Sequence, residues 1–216
     1  MSEPVVSRAT VRASMLVVAL AACVIAVVVA RRTGGEQIAA AVGAPPAAAA
    51  TAPPVLPVLA GGPAPDVTVG ATGWLNSDPL PPAALAGRVV LYDFWTFGCV
   101  NCQHTLPAVK AWHARYAADG LVVLSIHTPE FAREADPANV AAALADRAIT
   151  YPVALDADRD VWRAFANHYW PAFFLYDRTG QPRYTHIGEG AYAATEDAIR
   201  VLLGVDPASP RADVGT

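Results

Sequence analysis

The apolar run Val89-Val90-Leu91-Tyr92-Asp93-Phe94-Trp95 is followed within four residues by Cys99-Val100-Asn101-Cys102. The run reads as a strand and the stretch after it as a helix, so two cysteines three apart fall at a strand-to-helix junction, where they can form and break a disulfide. A helix N-terminus carries unpaired backbone N–H groups and about half a positive charge, which favours the thiolate that attacks disulfides. Cys99 is therefore the expected nucleophile and Cys102 its partner.

The apolar residues, 54% of the 216, are distributed in two ways. Ala13 to Ala30 is a run of eighteen residues without a charge, with Arg8 and Arg12 before it and Arg31 and Arg32 after it. As a helix it reaches about 27 Å, close to the roughly 30 Å of a bilayer core. Residues 13–30 are read as a membrane anchor or export signal behind a short tail, 1–12. Leu20-Ala21-Ala22-Cys23 resembles a bacterial lipobox, yet the stretch runs on to Ala30 and stops at a double arginine, as a spanning helix does. An uncleaved anchor is the reading taken; an acylated Cys23 and a cleaved signal are the alternatives, and in each case the rest of the chain is exported. Residues 31–65 form a linker: Thr33 to Pro65 holds seven prolines and the single charge Glu36, which cannot build a packed core.

Residues 66–204 are long enough for one domain that needs no structural disulfide, with 205–216 a flexible tail. From Asp66 onward seventeen acids stand against eleven bases, without a basic stripe, so nucleic acid is not an expected partner. Cys99 and Cys102 are the only cysteines beyond the anchor, in a compartment where disulfides persist. No second cysteine pair completes a zinc site, and Gln103 stands where a haem attachment site needs His. No metal or cofactor is expected beyond a redox-active Cys99–Cys102 disulfide.

Periodicity predicts a strand at 89–95, a helix over 99–118 with Pro107 inside it, and a strand at 121–126. Asp136 and Pro137 form an N-cap and first-turn pair for a helix to about Arg147. A short strand around Val153, a helix over 158–168, strands at 172–176 and 183–187 and a helix over 195–203 complete the order. Strands alternating with helices imply a mixed α/β sheet covered on both faces, with functional groups at the carboxyl ends of its parallel strands. Cys99 and His127-Thr128-Pro129-Glu130 follow such ends. Asp93 in its apolar strand reads either as surface alternation or as a buried carboxyl with a raised pKa, able to take the proton of Cys102 as it attacks.

Asp93 six residues before Cys99, Pro107 five after Cys102 and Pro171 opening a later strand together resemble the thioredoxin fold. More narrowly, Gly73-Trp74-Leu75-Asn76, the 90–96 segment, Cys99-Val100-Asn101-Cys102-Gln103, His127-Thr128-Pro129-Glu130-Phe131, Tyr169-Trp170-Pro171-Ala172 and Gly188-Glu189-Gly190 resemble the periplasmic domain of the DipZ proteins, within the TlpA and ResA group of membrane-tethered thioredoxins. The resemblance covers about 67–203. It implies Asp93 as base, a cis Pro171 with Trp170 at a substrate-binding surface, and supporting roles for Trp95, His127, Glu130 and Glu189. It also implies a CcdA/DsbD-type membrane electron carrier as a separate partner. The chain departs from thioredoxin in having Gly98 before Cys99 and Val-Asn between the cysteines.

The leading expectation is a membrane-anchored thiol-disulfide oxidoreductase, extracytoplasmic, acting on disulfides of exported proteins. Thr96-Phe97-Gly98-Cys99 carries half of the peroxiredoxin signature, so a thiol peroxidase is a second reading, although Tyr92 stands where that family has a proline. A module that grips extended peptides beside Pro171 without catalysis is a third.

Overall fold

A computed structural model describes residues 55–214; the expected tail, the anchor and most of the linker lie outside the described residues. Among the described residues no helix is long and apolar enough to cross a membrane. The strands are β1 (Gly73–Leu75), β2 (Val89–Trp95), β3 (Leu121–His127), β4 (Val153–Leu155), β5 (Ala172–Tyr176) and β6 (Pro182–Ile187). They form one mixed sheet in the order β1-β4-β3-β2-β5-β6, with β2–β3 and β3–β4 parallel and the other pairs antiparallel. The helices are α1 (Val67–Gly70), α2 (Pro82–Leu85), α3 (Val100–Tyr116), α4 (Pro137–Asp146), α5 (Asp160–Ala164) and α6 (Tyr192–Leu203), with a 3-10 turn at Ala132–Glu134.

β2 is buried at all seven positions because both of its faces are covered, which is why it reads as an unbroken apolar run. Val89, Leu91 and Trp95 join a core with Val109, Trp112 and Tyr116 of α3, Val140 and Leu144 of α4 and Ile199 of α6. Val90, Tyr92 and Phe94 point the other way, into a core with Val67, Val161, Trp162 and Phe165. The mixed, doubly covered sheet of a thioredoxin-like fold is therefore present.

Several boundaries differ from expectation. α3 starts one residue after Cys99. The helix expected over 158–168 is only the five residues of α5, bracketed by left-handed backbone at Arg159 and Ala166 (φ 61° and 48°). Ahead of the first predicted strand, the stretch around Trp74 forms β1, paired with β4. The last stretch of the linker lies along the sheet, where the Leu59 N–H donates to the Pro182 carbonyl at 2.8 Å. The segment after Gly204, read as a loose tail, is strapped down: buried Arg200 donates to the carbonyls of Asp206, Pro207, Ser209 and Pro210, and the Ala212 N–H donates to Glu196 at 2.7 Å.

Register brings one edge of the sheet together. Trp95 aligns with His127, and His127 with Leu155, so β2, β3 and β4 end side by side. Phe94 aligns with Ala172, and Ala172 with Ile187, so β5 begins and β6 ends there too.

Candidate active site

At that edge the chain leaves β2 and turns into α3 through Thr96-Phe97-Gly98. Cys99 is the N-cap of α3, with extended backbone (φ −75°, ψ 117°), and its sulfur accepts the Cys102 N–H at 3.2 Å. The cap position thus aims a helix N–H at the first sulfur, where a negative charge is well received. Cys99 is half-buried, Cys102 is fully buried, and both are thiols in this structure. Burial raises the Cys102 thiol far above its usual range; the Cys99 side chain and the Asp93 charge push the same way, and a backbone hydrogen bond at Thr96 opposes them. The pair is asymmetric, with one sulfur reachable and the other held as a thiol until something takes its proton.

Asp93 faces that sulfur's side of the sheet and is 1% exposed, so surface alternation does not describe it. Burial pushes its pKa up to about 7, against the Ser125 hydroxyl, which donates to Oδ2 at 3.2 Å. A carboxyl that gains and loses its proton near neutrality, close to a buried thiol, is fit to accept that thiol's proton.

His127 ends β3 fully buried. Its Nε2 accepts the Phe97 N–H at 3.3 Å, and its ring stacks on Phe97 with centroids 5.5 Å apart. Burial pushes its pKa down to about 4 against the pull of Glu134, so the ring is neutral with Nε2 unprotonated.

Glu134 was not among the sequence candidates, yet it is the buried carboxylate next to the cysteine loop. Its Oε2 accepts the Thr96 hydroxyl at 2.7 Å and the N–H groups of Glu130 and Phe131 at 2.9 and 3.2 Å. Burial works to raise its pKa, but these three donors prevail and hold it below the usual carboxylate value. Its Oε1 is buried without a hydrogen-bond partner. A Cβ placed on Gly98 would stand 2.0 Å from that oxygen, so the residue before Cys99 must lack a side chain. In sequence, Gly98 was the one sign of this neighbour.

The Trp170–Pro171 peptide is cis, and the Pro171 carbonyl accepts the Gly188 N–H at 2.8 Å. Half-buried Trp170 donates from Nε1 to the Thr128 carbonyl at 3.1 Å. Arg159, also missed from sequence, lies 5.1 Å from the Trp170 ring and donates to the Pro129 carbonyl at 2.7 Å, which ties the loops after β3 and before β5 together. Glu189 sits in the loop after β6 and meets His104 of α3 at 3.1 Å.

One supporting candidate lies elsewhere than expected. Trp95 is fully buried, edge-on to His127 at 5.2 Å, and lines no surface. Glu130 is exposed, and its backbone N–H alone joins the site network. Val100, Phe131 and Tyr169 expose 60, 56 and 60% of their surface on three segments that reach this edge, leaving it apolar toward a partner.

The sequence profile of the AhpC/TSA family matches residues 60–185, more than half of the chain. The chain belongs to the AhpC/TSA family. Its fold is thioredoxin-like. It is 46% identical over 145 residues to Protein DipZ of Mycobacterium tuberculosis, a match covering 66% of this chain and 21% of DipZ. The chain thus spans about a fifth of the length of that relative. It is 30% identical over 141 residues to the thiol-disulfide oxidoreductase YkuV of Bacillus subtilis, covering 65% of this chain and 94% of YkuV. Among solved structures, a thioredoxin-like protein in its oxidised form superposes with a TM-score of 0.60 at 31% identity, over 67% of this chain and 97% of that one. The thiol:disulfide interchange protein DsbE from Chlorobium tepidum gives 0.57 at 26% identity, over 69% and 100%.

Proposed function

We propose that this chain works outside the cytoplasm, anchored by residues 13–30, as a reductase of disulfides in exported proteins. The observation that carries the reading is the half-buried Cys99 at a helix N-terminus above fully buried Cys102, with buried Asp93 titrating near neutrality. The Cys99 sulfur, as thiolate, attacks one sulfur of a substrate disulfide; a mixed disulfide forms, and the other substrate sulfur leaves and takes up a proton. Cys102 gives its proton to Asp93 and attacks the Cys99 sulfur, which expels the second substrate sulfur as a thiolate, and this takes up the proton that Asp93 received. The substrate has gained two electrons and two protons, and the domain holds a Cys99–Cys102 disulfide. A membrane electron carrier of the CcdA/DsbD type then restores the dithiol, and no further cofactor takes part. Trp170 and cis Pro171, beside the exposed Val100, Phe131 and Tyr169, supply the docking surface.

Thr96 counts against the peroxidase reading. Its hydroxyl is donated to Glu134 rather than held free beside Cys99 for a peroxide. The test is trapping: Cys102→Ser lacks the resolving thiol and should accumulate mixed disulfides with exported proteins, while Cys99→Ser should accumulate none. Mixed disulfides in equal yield from both variants would sink the assignment of Cys99 as nucleophile.

A further inference from the structure

Glu134 is a buried charged group, set against the cysteine loop, that the thiol exchange does not use. Its two oxygens are treated unequally. Oε2 takes three donors, from Thr96, Glu130 and Phe131, which fix the carboxylate in place. Oε1 takes none and is turned toward the Gly98 Cα, so close that a methyl group there would overlap it. Gly98 does not have a positive φ, so backbone freedom does not explain the glycine, whereas space for the carboxylate does. Nearby cations leave the charge standing. His127 is neutral, and Arg133, whose guanidinium lies 5.9 Å from the Phe97 ring and approaches Gly98 from the same side, makes no ion pair with Glu134 among the described residues.

We propose that Glu134 is a positioning residue that sets the redox poise of the cysteine pair, by fixing a negative charge that no ion pair neutralises against Gly98, the residue before Cys99. The inference rests on the reductase reading and deepens it. When Cys99 reacts as the thiolate, the reduced pair carries a negative charge there, while the disulfide carries none. A fixed carboxylate against Gly98, the residue before Cys99, therefore penalises that charged state and drives the couple toward giving up its electrons. The opposite arrangement, in which surroundings stabilise the reduced form, makes a strong oxidant. Because Oε2 also holds the N–H groups of Glu130 and Phe131, the charge cannot swing away when the docking loop meets a partner.

Glu134→Gln keeps the size, and its amide oxygen can still receive the three donors, so charge is removed with little else. In the full-length protein equilibrated with glutathione buffers, the dithiol-to-disulfide constant should rise about tenfold over wild type, equivalent to about 30 mV. Alkylation of Cys99 at pH 6 should speed up by a similar factor. A folded Glu134→Gln whose constant stays within twofold of wild type, or moves toward the disulfide, overturns the proposal. If that variant does not fold, Arg133→Gln decides, since Arg133 is exposed. Losing this cation should lower the dithiol fraction, and no change or a rise overturns the proposal. The wild-type potential judges the reductase reading separately, because the Glu134 effect is a ratio between variants.

Discussion

Asp93 and Ser125 face each other across the parallel β2–β3 pair, and the Ser125 hydroxyl at 3.2 Å is the one hydrogen bond this carboxyl receives among the described residues. A single neutral donor does not offset complete burial, and the carboxyl titrates near 7 instead of its usual 3.8. The folded state therefore holds a proton on Asp93 that the unfolded chain has released between those values. Stability from this group is fully present below about pH 4 and is lost as pH rises through 7. Asp93→Asn should thus be more stable than wild type at pH 8, by about 4 kcal/mol at most, with the difference vanishing near pH 4. Denaturant unfolding at several pH values measures it. The same variant should resolve mixed disulfides at least tenfold more slowly, as expected when a general base is lost.

His127 works in the opposite direction. Its pKa falls from 6.5 to about 4 on folding, so the unfolded chain binds the extra proton, and the stability tied to its neutral form is lost as pH drops through that window. Relative to wild type, His127→Gln should gain up to about 3 kcal/mol between pH 6.5 and 4, while Asp93→Asn loses ground over the same range. Unfolding curves for the two variants that shift in the same direction on acidification would show that the burial of these groups has been misread.

Much of this arrangement can be read from the residues, and what cannot has physical causes. The seven residues of β2 and the Asp136-Pro137 start of α4 carry strong local signals, a doubly buried run and a cap whose carboxylate accepts the Ala138 N–H at 2.9 Å. The five-residue α5 was overdrawn because Arg159 and Ala166 adopt left-handed backbone that neither side chain announces. Glu134 lies in a three-residue turn too short for any period, and an acid among exposed neighbours reads as solvated. Arg200 likewise reads as a surface cation on α6, although it is 6% exposed and wrapped by carbonyls of the chain end. Distant partners help to place both, Thr96 for Glu134 and the Tyr116 hydroxyl for Arg200, and composition and spacing do not encode them.

Gly98→Ala tests the packing of Glu134 apart from its charge. The new methyl would meet Oε1 at 2.0 Å, and overpacking of this kind costs about 1 to 3 kcal/mol. The loss should be nearly as large in a Glu134→Gln background, where the side chain keeps its size, and smaller in a Glu134→Ala background, where the space is open. A double-mutant cycle on thermal or denaturant unfolding gives the coupling. Additive losses would place the clash elsewhere.

The direction of electron flow is the remaining prediction. Reference couples run from about −270 mV for thioredoxin to about −120 mV for the oxidant DsbA, whose reduced form is stabilised. Here the residues between the cysteines, Val100 and Asn101, bring no cation to the Cys99 sulfur, and buried Asp93 and Glu134 lie on the same side of the balance, each disfavouring further negative charge. The helix N-terminus and the Cys102 N–H pull the other way, but one hydrogen bond and a half-charge are common to this whole class of site and do not by themselves make an oxidant. The potential should therefore fall in the reducing half of the range. Equilibration of the purified protein with glutathione buffers, with the dithiol fraction counted after acid quench and alkylation, measures it directly. A potential above about −160 mV would mean that the pair is built to accept electrons from exported thiols, and the reductase assignment would have to give way to an oxidase.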